Sequence, residues 1–148
     1  MTLKRQSAGA RSYVDRNLTT GVKYRYRMRA LRAVDEGQTM AYSAFSTTCS
    51  AVPKLGRVSQ RAPRAGRRYL TVKWRRQAGA SGYQVRYSRS SKFRRAGYKT
   101  VKGYSRRYLK VKRLKSKKRY YTAVRAYRKA GGRKVYGPWS VKRVKKVR

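Results

Sequence analysis

Lysine and arginine recur two positions apart along several short segments of this 148-residue sequence. Together they number 44, against three acidic residues and no histidine, so the formal net charge is +41. The acids are Asp15, Asp35 and Glu36, and residues 58–148 contain no carboxylate side chain. Cationic side chains at this density attract polyanions through charge alone, without any specific site.

Acid–base and metal chemistry have little support in the sequence. With no histidine, imidazole catalysis and the common zinc sites are excluded. The single cysteine, Cys49, excludes an internal disulfide and a multi-cysteine metal site, and we interpret it as an inert side chain near a strand end. Asp35 and Glu36 precede Gly37 in a stretch that predicts a hairpin turn. We therefore expect neither enzymatic activity nor a cofactor.

Three segments in the second half of the chain alternate apolar and polar residues. The apolar positions are Leu70, Val72 and Trp74 in the first segment, Tyr83, Val85 and Tyr87 in the second, and Leu109 and Val111 in the third. A period of two with one apolar face is typical of half-buried strands. No segment carries a helical stripe or a run of eighteen apolar residues, so the pattern predicts an antiparallel sandwich or barrel without a transmembrane segment.

An internal repeat organises the chain. Leu18 and Tyr24 are spaced as Leu114 and Tyr120 are, and each tyrosine begins an alternating strand. Residues 41–46 then match residues 135–140, with a shift of two residues that fits hairpin loops of different length. The second copy has opening strands that the first lacks.

The repeat predicts a partial domain at 1–52 that contains the last strands only. A linker at 53–57 and a complete domain at 58–148 follow. The missing half would lie upstream in a longer polypeptide or come from another chain. Residues 1–52 are accordingly expected to be poorly ordered, domain-swapped or paired.

The ordered set of segments resembles the fibronectin type III family, of the Lys- and Arg-rich type found in bacterial surface proteins. Residues 12–30 resemble its E–F corner and F strand, 70–74 its B strand with a buried Trp74, 82–87 its C strand and 135–140 its G strand. The resemblance implies an immunoglobulin-like, seven-strand Greek-key β-sandwich with tyrosine corners at Tyr24 and Tyr120. It also implies a non-catalytic binding or spacer module that is extracellular or at the cell surface, beside neighbouring domains.

The strand-spaced cations can be mapped onto such a sandwich. Lys73, Arg75, Lys110 and Lys112 would project from one outer face, Arg86 and Arg125 from the other, Arg25, Arg27 and Arg29 from the partial copy, and Lys117, Lys118 and Arg119 from one turn. We expect these faces to bind an anionic polymer, namely a polysaccharide, a teichoic acid or a nucleic acid, or an acidic membrane surface. Two alternatives stay open: a sequence-nonspecific nucleic-acid-binding protein, and an engineered, positively supercharged scaffold.

The aromatic residues divide into two groups. We expect Tyr24, Trp74, Tyr83 and Tyr120 to lie in the core, together with Leu114. Tyr98, Tyr104, Tyr121 and Tyr127 are less constrained; they could stack on bases or sugars beside arginine, but we expect loop or cross-strand packing instead.

Overall fold

The computed structural model describes residues 4–34, 36 and 39–148, and strands are the only regular elements of any length in this part of the chain. The strands are β1 (Tyr24–Tyr26), β2 (Leu31–Val34), β3 (Thr39–Tyr42), β4 (Cys49–Ala51), β5 (Arg64–Gly66), β6 (Tyr69–Lys73), β7 (Gly82–Ser88), β8 (Gly97–Lys102), β9 (Tyr108–Val111), β10 (Arg119–Ala130), β11 (Arg133–Tyr136) and β12 (Arg143–Lys146). Every pairing between them is antiparallel.

Strands β5 to β12 form a two-sheet sandwich, here called the C-terminal sandwich. The small sheet has the order β5-β6-β9, and the large sheet has the order β8-β7-β10, with β11 and β12 on the far edge of β10. Because β11 and β12 are two halves of one interrupted strand, the sandwich has the seven strands expected. The prediction of an all-β, immunoglobulin-like antiparallel sandwich is confirmed.

The core of the C-terminal sandwich follows the alternation in the sequence. Leu70, Val72 and Val85 are fully buried, and the Trp74 side chain is only 2% exposed. Trp74 packs against Tyr83, with ring centroids 5.2 Å apart. Removing an apolar side chain of this size from water stabilises a fold by about 1.5–3 kcal/mol, so these inward positions hold the two sheets together.

A buried polar chain joins the two sheets. The Nε2 group of Gln60, in the segment that precedes β5, donates a hydrogen bond to the Thr122 hydroxyl at 2.7 Å, and the Ser140 hydroxyl donates to Oε1 of Gln60 at 2.9 Å. The Ser140 oxygen also accepts a bond from the Val124 backbone N–H at 3.0 Å. Buried polar groups are costly unless they are hydrogen-bonded. This arrangement therefore fixes the position of the segment that precedes β5 against the large sheet.

Strands β1 to β4 form a second unit, here called the N-terminal hairpin. β1 pairs with β4 through Tyr24 and Ala51, and β2 pairs with β3 through Leu31 and Tyr42. The turn predicted at residues 35–37 falls between β2 and β3. Asp35 and Gly37 lie outside the described residues, and Glu36 has a left-handed φ of 53°.

The two units reproduce the same tyrosine contact. The Tyr24 hydroxyl accepts a hydrogen bond from the Thr19 backbone N–H at 3.0 Å, and the Tyr120 hydroxyl accepts one from the Lys115 backbone N–H at 3.1 Å. This is the geometry that the fibronectin type III resemblance implied for both tyrosines. Leu114, beside the second corner, is 4% exposed.

The equivalence extends along both hairpins. Gly21 N–H donates to the Pro53 carbonyl as Lys117 N–H donates to the Val147 carbonyl, each at 3.0 Å. Ser46 likewise matches Ser140, because its hydroxyl accepts a bond from the Met28 N–H at 2.9 Å. At these points the N-terminal hairpin therefore makes the same backbone contacts as residues 113–147.

The segment between the two units is in contact with the C-terminal sandwich. Leu55, within the predicted linker 53–57, is 5% exposed and belongs to the core cluster. Gly137 passes so close that an added Cβ would lie 2.8 Å from the Leu55 carbonyl oxygen. The division into a partial domain, a linker and a complete domain stays a prediction.

A candidate polyanion-binding face

The outer surface of the small sheet carries cations on all three of its strands. Arg64 of β5 lies opposite Thr71 of β6, which lies opposite Lys110 of β9. Two residues further along β6, on the same face, Lys73 lies opposite Tyr108. On the other edge of β6, the Arg61 N–H donates to the Lys73 carbonyl at 2.9 Å. The sequence placed Lys73 and Lys110 on one face, and the register puts them there on neighbouring strands.

A cleft of about 400 Å³ opens at one end of this surface. Five cationic residues line it together with two aromatic ones: Arg61, Lys73, Arg75, Arg76, Arg107, Trp74 and Tyr108. Tyr108 is 55% exposed, and the nearby Tyr104 ring has the Arg76 guanidinium 5.5 Å from its centre. With no carboxylate among its lining residues, the cleft lacks an internal counterion and favours a bound anion.

A second cleft, of about 480 Å³, opens at the opposite end of the same sheet. Its lining again holds five cations and one aromatic residue: Arg67, Arg68, Lys110, Lys112, Arg113 and Tyr69. Nζ of Lys110 lies 3.8 Å from the centre of the Tyr69 ring, which supports the ammonium group without neutralising it. Arg75 and Lys112, two of the candidate residues from the sequence, therefore lie at opposite ends.

The spacing of the two clefts follows from strand geometry. Lys73 lines the first and Tyr69 the second, and both belong to β6. Four residues of an extended strand span about 13 Å. We call the outer surface of the small sheet with its two clefts the basic face. It presents two groups of cations on one rigid support, at a distance that a linear polymer can bridge.

The large sheet uses its arginines differently from the sequence prediction. The Arg86 guanidinium lies 3.8 Å from the centre of the Phe93 ring and 4.3 Å from that of Trp139. The Arg125 guanidinium lies 4.4 Å from the centre of the Trp139 ring and 3.8 Å from that of the Tyr136 ring. The result is an alternating stack, here called the arginine–aromatic ladder, in the order Phe93, Arg86, Trp139, Arg125, Tyr136.

The ladder takes both arginines partly out of solvent. Burial lowers the pKa of Arg86, an effect that the neighbouring Arg125 charge reinforces and Tyr98 opposes. Burial also lowers the pKa of Arg125, and Tyr136 and Tyr98 oppose that change. Nε and Nη2 of Arg125 donate to Oε1 of Gln84 at 3.0 and 2.7 Å. Both side chains keep their charge, but contacts within the protein hold them in place and leave them only partly exposed.

The N-terminal hairpin carries a shorter ladder of the same kind. Arg29 lies 3.8 Å from the centre of the Tyr42 ring and 4.7 Å from that of Phe45, and Arg27 lies 3.9 Å from Phe45. Arg29, Tyr42 and Phe45 occupy the positions of Arg125, Tyr136 and Trp139 in the repeat. The repeat alignment contained this signal, since both copies keep an arginine on one strand and two aromatics on the next.

The other candidate residues are scattered. Lys117 and Lys118 are exposed in the turn before β10, and the exposed Arg119 is the first residue of β10, away from the small sheet's pairings. Among the candidate stacking tyrosines, Tyr98 and Tyr104 are 55% and 44% exposed. Tyr127 has the packing role expected for it instead of a ligand-stacking one, because it is 1% exposed and packs on Tyr136 with ring centroids 5.9 Å apart.

Within the described ranges, no three His, Cys, Asp or Glu side chains come together as metal ligands. Cys49 begins β4, where its side chain is exposed and forms no disulfide. None of the chain's described segments forms an apolar helix of bilayer-spanning length.

Comparison with solved structures gives the fold. The FN1–FN3 domains of chicken CNTN1 match 92% of this chain at 21% identity with a TM-score of 0.55, and the match covers 44% of that longer chain. A β-1,2-glucanase from Parabacteroides distasonis (18% identity, TM-score 0.47, 66% of this chain and 13% of that one) and a structure described as a myokine (16%, 0.47, 64% and 95%) are more distant. The protein has a fibronectin type III-like β-sandwich fold. No family model and no curated protein matches the sequence.

Proposed function

We propose that the protein is a non-catalytic module of a secreted or cell-surface protein that binds linear anionic polymers, polysaccharides or cell-wall polymers, along the basic face. The observation that carries this proposal is the pair of clefts on the small sheet, each lined by five cations and by no acid. The fibronectin type III-like fold supports a module without catalysis.

The choice of the basic face over the opposite surface rests on what the cations already contact. Arg86 and Arg125 stack on Trp139 and are half-buried, so a ligand reaches them less easily than the exposed Arg75 and Lys112. Lys73, Lys110 and Lys112 have no carboxylate partner within the described part of the chain. A bound polyanion would supply the missing countercharge and would stabilise the folded state by mass action.

Polymer length provides the first test. Inorganic phosphate and a heparin disaccharide reach one cleft, whereas a chain much longer than about 13 Å reaches both. Joining the two contacts makes the second one intramolecular, so affinity should rise by roughly a hundredfold once the polymer spans the clefts. Isothermal titration with size-fractionated heparin at fixed salt measures this. A smooth increase in proportion to charge, without a step, would argue against a two-cleft site.

Matched neutralisations provide the second test. The face variant carries Gln at Lys73, Arg75, Lys110 and Lys112. The control carries Gln at four exposed cations of the β7–β8 region, namely Arg89, Lys92, Lys99 and Lys102. If four phosphate contacts are lost, the slope of log affinity for duplex DNA against log salt concentration should shrink by about 3.6 in the face variant. Equal losses in both variants would mean that net charge alone governs binding and that the basic face is not a site.

The same titrations separate polysaccharide from nucleic acid. A preference for heparin over duplex and single-stranded DNA that persists at high salt supports the proposed ligand class. A preference for single strands would instead indicate stacking on Tyr104 and Tyr108, the exposed aromatics beside the first cleft.

A further inference from the structure

The N-terminal hairpin is folded as though it were packed, yet its inward face is bare. Met28 occupies the position of Val124, which is 0% exposed, but Met28 is 75% exposed. Leu18 is half-buried where Leu114 is fully buried, and Ala30 is exposed where Ala126 is buried. The backbone contacts of the two hairpins agree, so the difference lies only in what covers them.

One edge of the hairpin is also unpaired. In the C-terminal sandwich, β10 pairs with β7 from Tyr121 to Tyr127. The equivalent stretch, residues 25–31, has no such neighbour among the described strands. An edge with free N–H and C=O groups beside an uncovered apolar face accepts an added strand readily.

We propose that this face and edge form a docking surface for a polypeptide that supplies the opening strands of the same sandwich, equivalent to residues 58–107 here. The C-terminal sandwich shows directly which elements fit. The facing sheet of β5, β6 and β9 covers the inward face of β10, and β7 pairs with its edge.

A second copy of this chain does not meet the requirement. The described part of each chain contains two hairpins of this type but one set of opening strands, β5 to β8. A copy that lends its set to a neighbour leaves its own β10 bare. The occupant is therefore a separate polypeptide segment with the strand pattern of β5 to β8.

The ladder adds a condition on the occupant. In the C-terminal sandwich, Arg86 of β7 lies opposite Ala123, and Arg27 of the N-terminal hairpin stands at the position of Ala123. A strand bringing arginine to the site opposite Arg27 would place two like charges against each other, which destabilises a strand pair. The docked strand should instead carry a small, uncharged residue there. A Gln at the position of Gln84 would accept from Arg29 as Gln84 accepts from Arg125.

The test builds the missing half from the chain's own strands. Residues 58–107, with Arg86→Ala in the added copy, are fused ahead of Ser12, and hydrogen peroxide oxidation of Met28 is followed by mass spectrometry. Met28 should oxidise at least about tenfold more slowly than in the unfused chain, because its side chain becomes enclosed. Met40, half-buried in β3 and away from the docked strands, serves as the internal reference.

Two further fusions complete the design. The added segment with Val72→Asp and Val85→Asp cannot form its apolar face, so Met28 should oxidise as in the unfused chain. The added segment with Arg86 retained should give a lower thermal midpoint for the new unit than Arg86→Ala does. Unchanged Met28 oxidation in the intact fusion, or equal protection in the disrupted one, would overturn the docking surface. A reversed order of midpoints would overturn the condition opposite Arg27. Neither outcome depends on polymer binding by the basic face.

Discussion

The Arg125 guanidinium lies 4.4 Å from the centre of the Trp139 ring, and the Arg86 guanidinium lies 4.3 Å from the same ring. One indole thus links two arginines from neighbouring strands, β7 and β10, that would otherwise repel each other. Ala123, which lies opposite Arg86, is fully buried although it faces outward from the large sheet. The ladder gives the sandwich a second, smaller layer of packing on this side.

Replacing Trp139 tests the ladder. Trp139→Leu should lower the free energy of unfolding by about 2–3 kcal/mol through lost packing. Trp139→Phe keeps an aromatic face and its cation–π contacts, so its free energy of unfolding should be about 1 kcal/mol higher than that of Trp139→Leu. Urea denaturation followed by circular dichroism measures both. Equal stability of the two variants would show that the aromatic face itself contributes nothing.

The two tyrosine hydroxyls form a matched pair. Tyr120→Phe removes the bond from the Lys115 N–H and should cost about 1 kcal/mol. Both tryptophans lie in the C-terminal sandwich, so their fluorescence during urea denaturation reports that unit alone. By this measurement Tyr24→Phe, which removes the bond from the Thr19 N–H, should have little effect. A large shift from Tyr24→Phe would mean that the two units unfold together.

Lys117 has a left-handed φ of 58°, and the repeat places Gly21, with a φ of 87°, at the same point. The left-handed conformation costs about 1–2 kcal/mol for residues that have a Cβ, whereas its cost for glycine is small. Lys117→Gly should therefore stabilise the protein by about 0.5–1 kcal/mol, after the added freedom of the unfolded chain is subtracted. Lys117→Ala removes the same charge without relieving the backbone. Urea midpoints of the two variants should differ, and the prediction fails if they coincide.

Stability should fall in alkaline solution because of two buried tyrosines. Burial raises the pKa of Tyr83, with an opposing contribution from the hydrogen bond donated by the Gln77 N–H. Burial also raises the pKa of Tyr127, helped by Tyr136. The folded state holds these protons more tightly than the unfolded one, so their contribution is complete below about pH 10 and is lost as the pH rises through the raised values.

Urea unfolding between pH 9 and pH 11.5, followed by circular dichroism, checks the alkaline prediction. Tyr83→Phe and Tyr127→Phe should each flatten the fall in stability. An unchanged slope in both variants would assign the alkaline loss to other groups.

Salt should stabilise the protein. The chain holds 44 cationic residues and three acids, so repulsion between neighbouring cations opposes folding. Raising NaCl from 0.01 M to 1 M shortens the Debye length from about 30 Å to about 3 Å and should raise the thermal midpoint by several degrees. The face variant, with four fewer charges, should show a smaller rise. A midpoint that falls with salt would contradict this account.

The sequence predicted the inner half of the fold well. Period-two alternation placed Leu70, Val72 and Trp74 inside because one face of β6 meets the core and the other meets solvent. The same logic failed on β10, where Ala123 and Tyr127 face outward and yet are buried. A prediction from alternation assumes that the outer face of a sheet is exposed to solvent. On the large sheet this assumption fails, because the ladder packs side chains on the outer face.

Alternation also predicted part of the candidate site, namely the cations on the outer face of the small sheet. Lys73, Arg75, Lys110 and Lys112 belong to strands that the family resemblance made neighbours, and the structure places all four on the small sheet or its clefts. The sequence analysis missed Arg61, Arg76 and Arg107, because they approach the first cleft from strand ends and loops. Alternation along one strand carries no information about such approaches.

The path of the chain between its two units has a mechanical consequence. The Pro53 carbonyl is bonded to Gly21 in the N-terminal hairpin, and Leu55 is buried in the core of the C-terminal sandwich, so Lys54 is the one residue between two anchored points. A pull on the first unit reaches the second without first straightening a slack tether. The junction therefore transmits tension directly, and a load on it has to break a hydrogen bond or extract a leucine before the chain can lengthen.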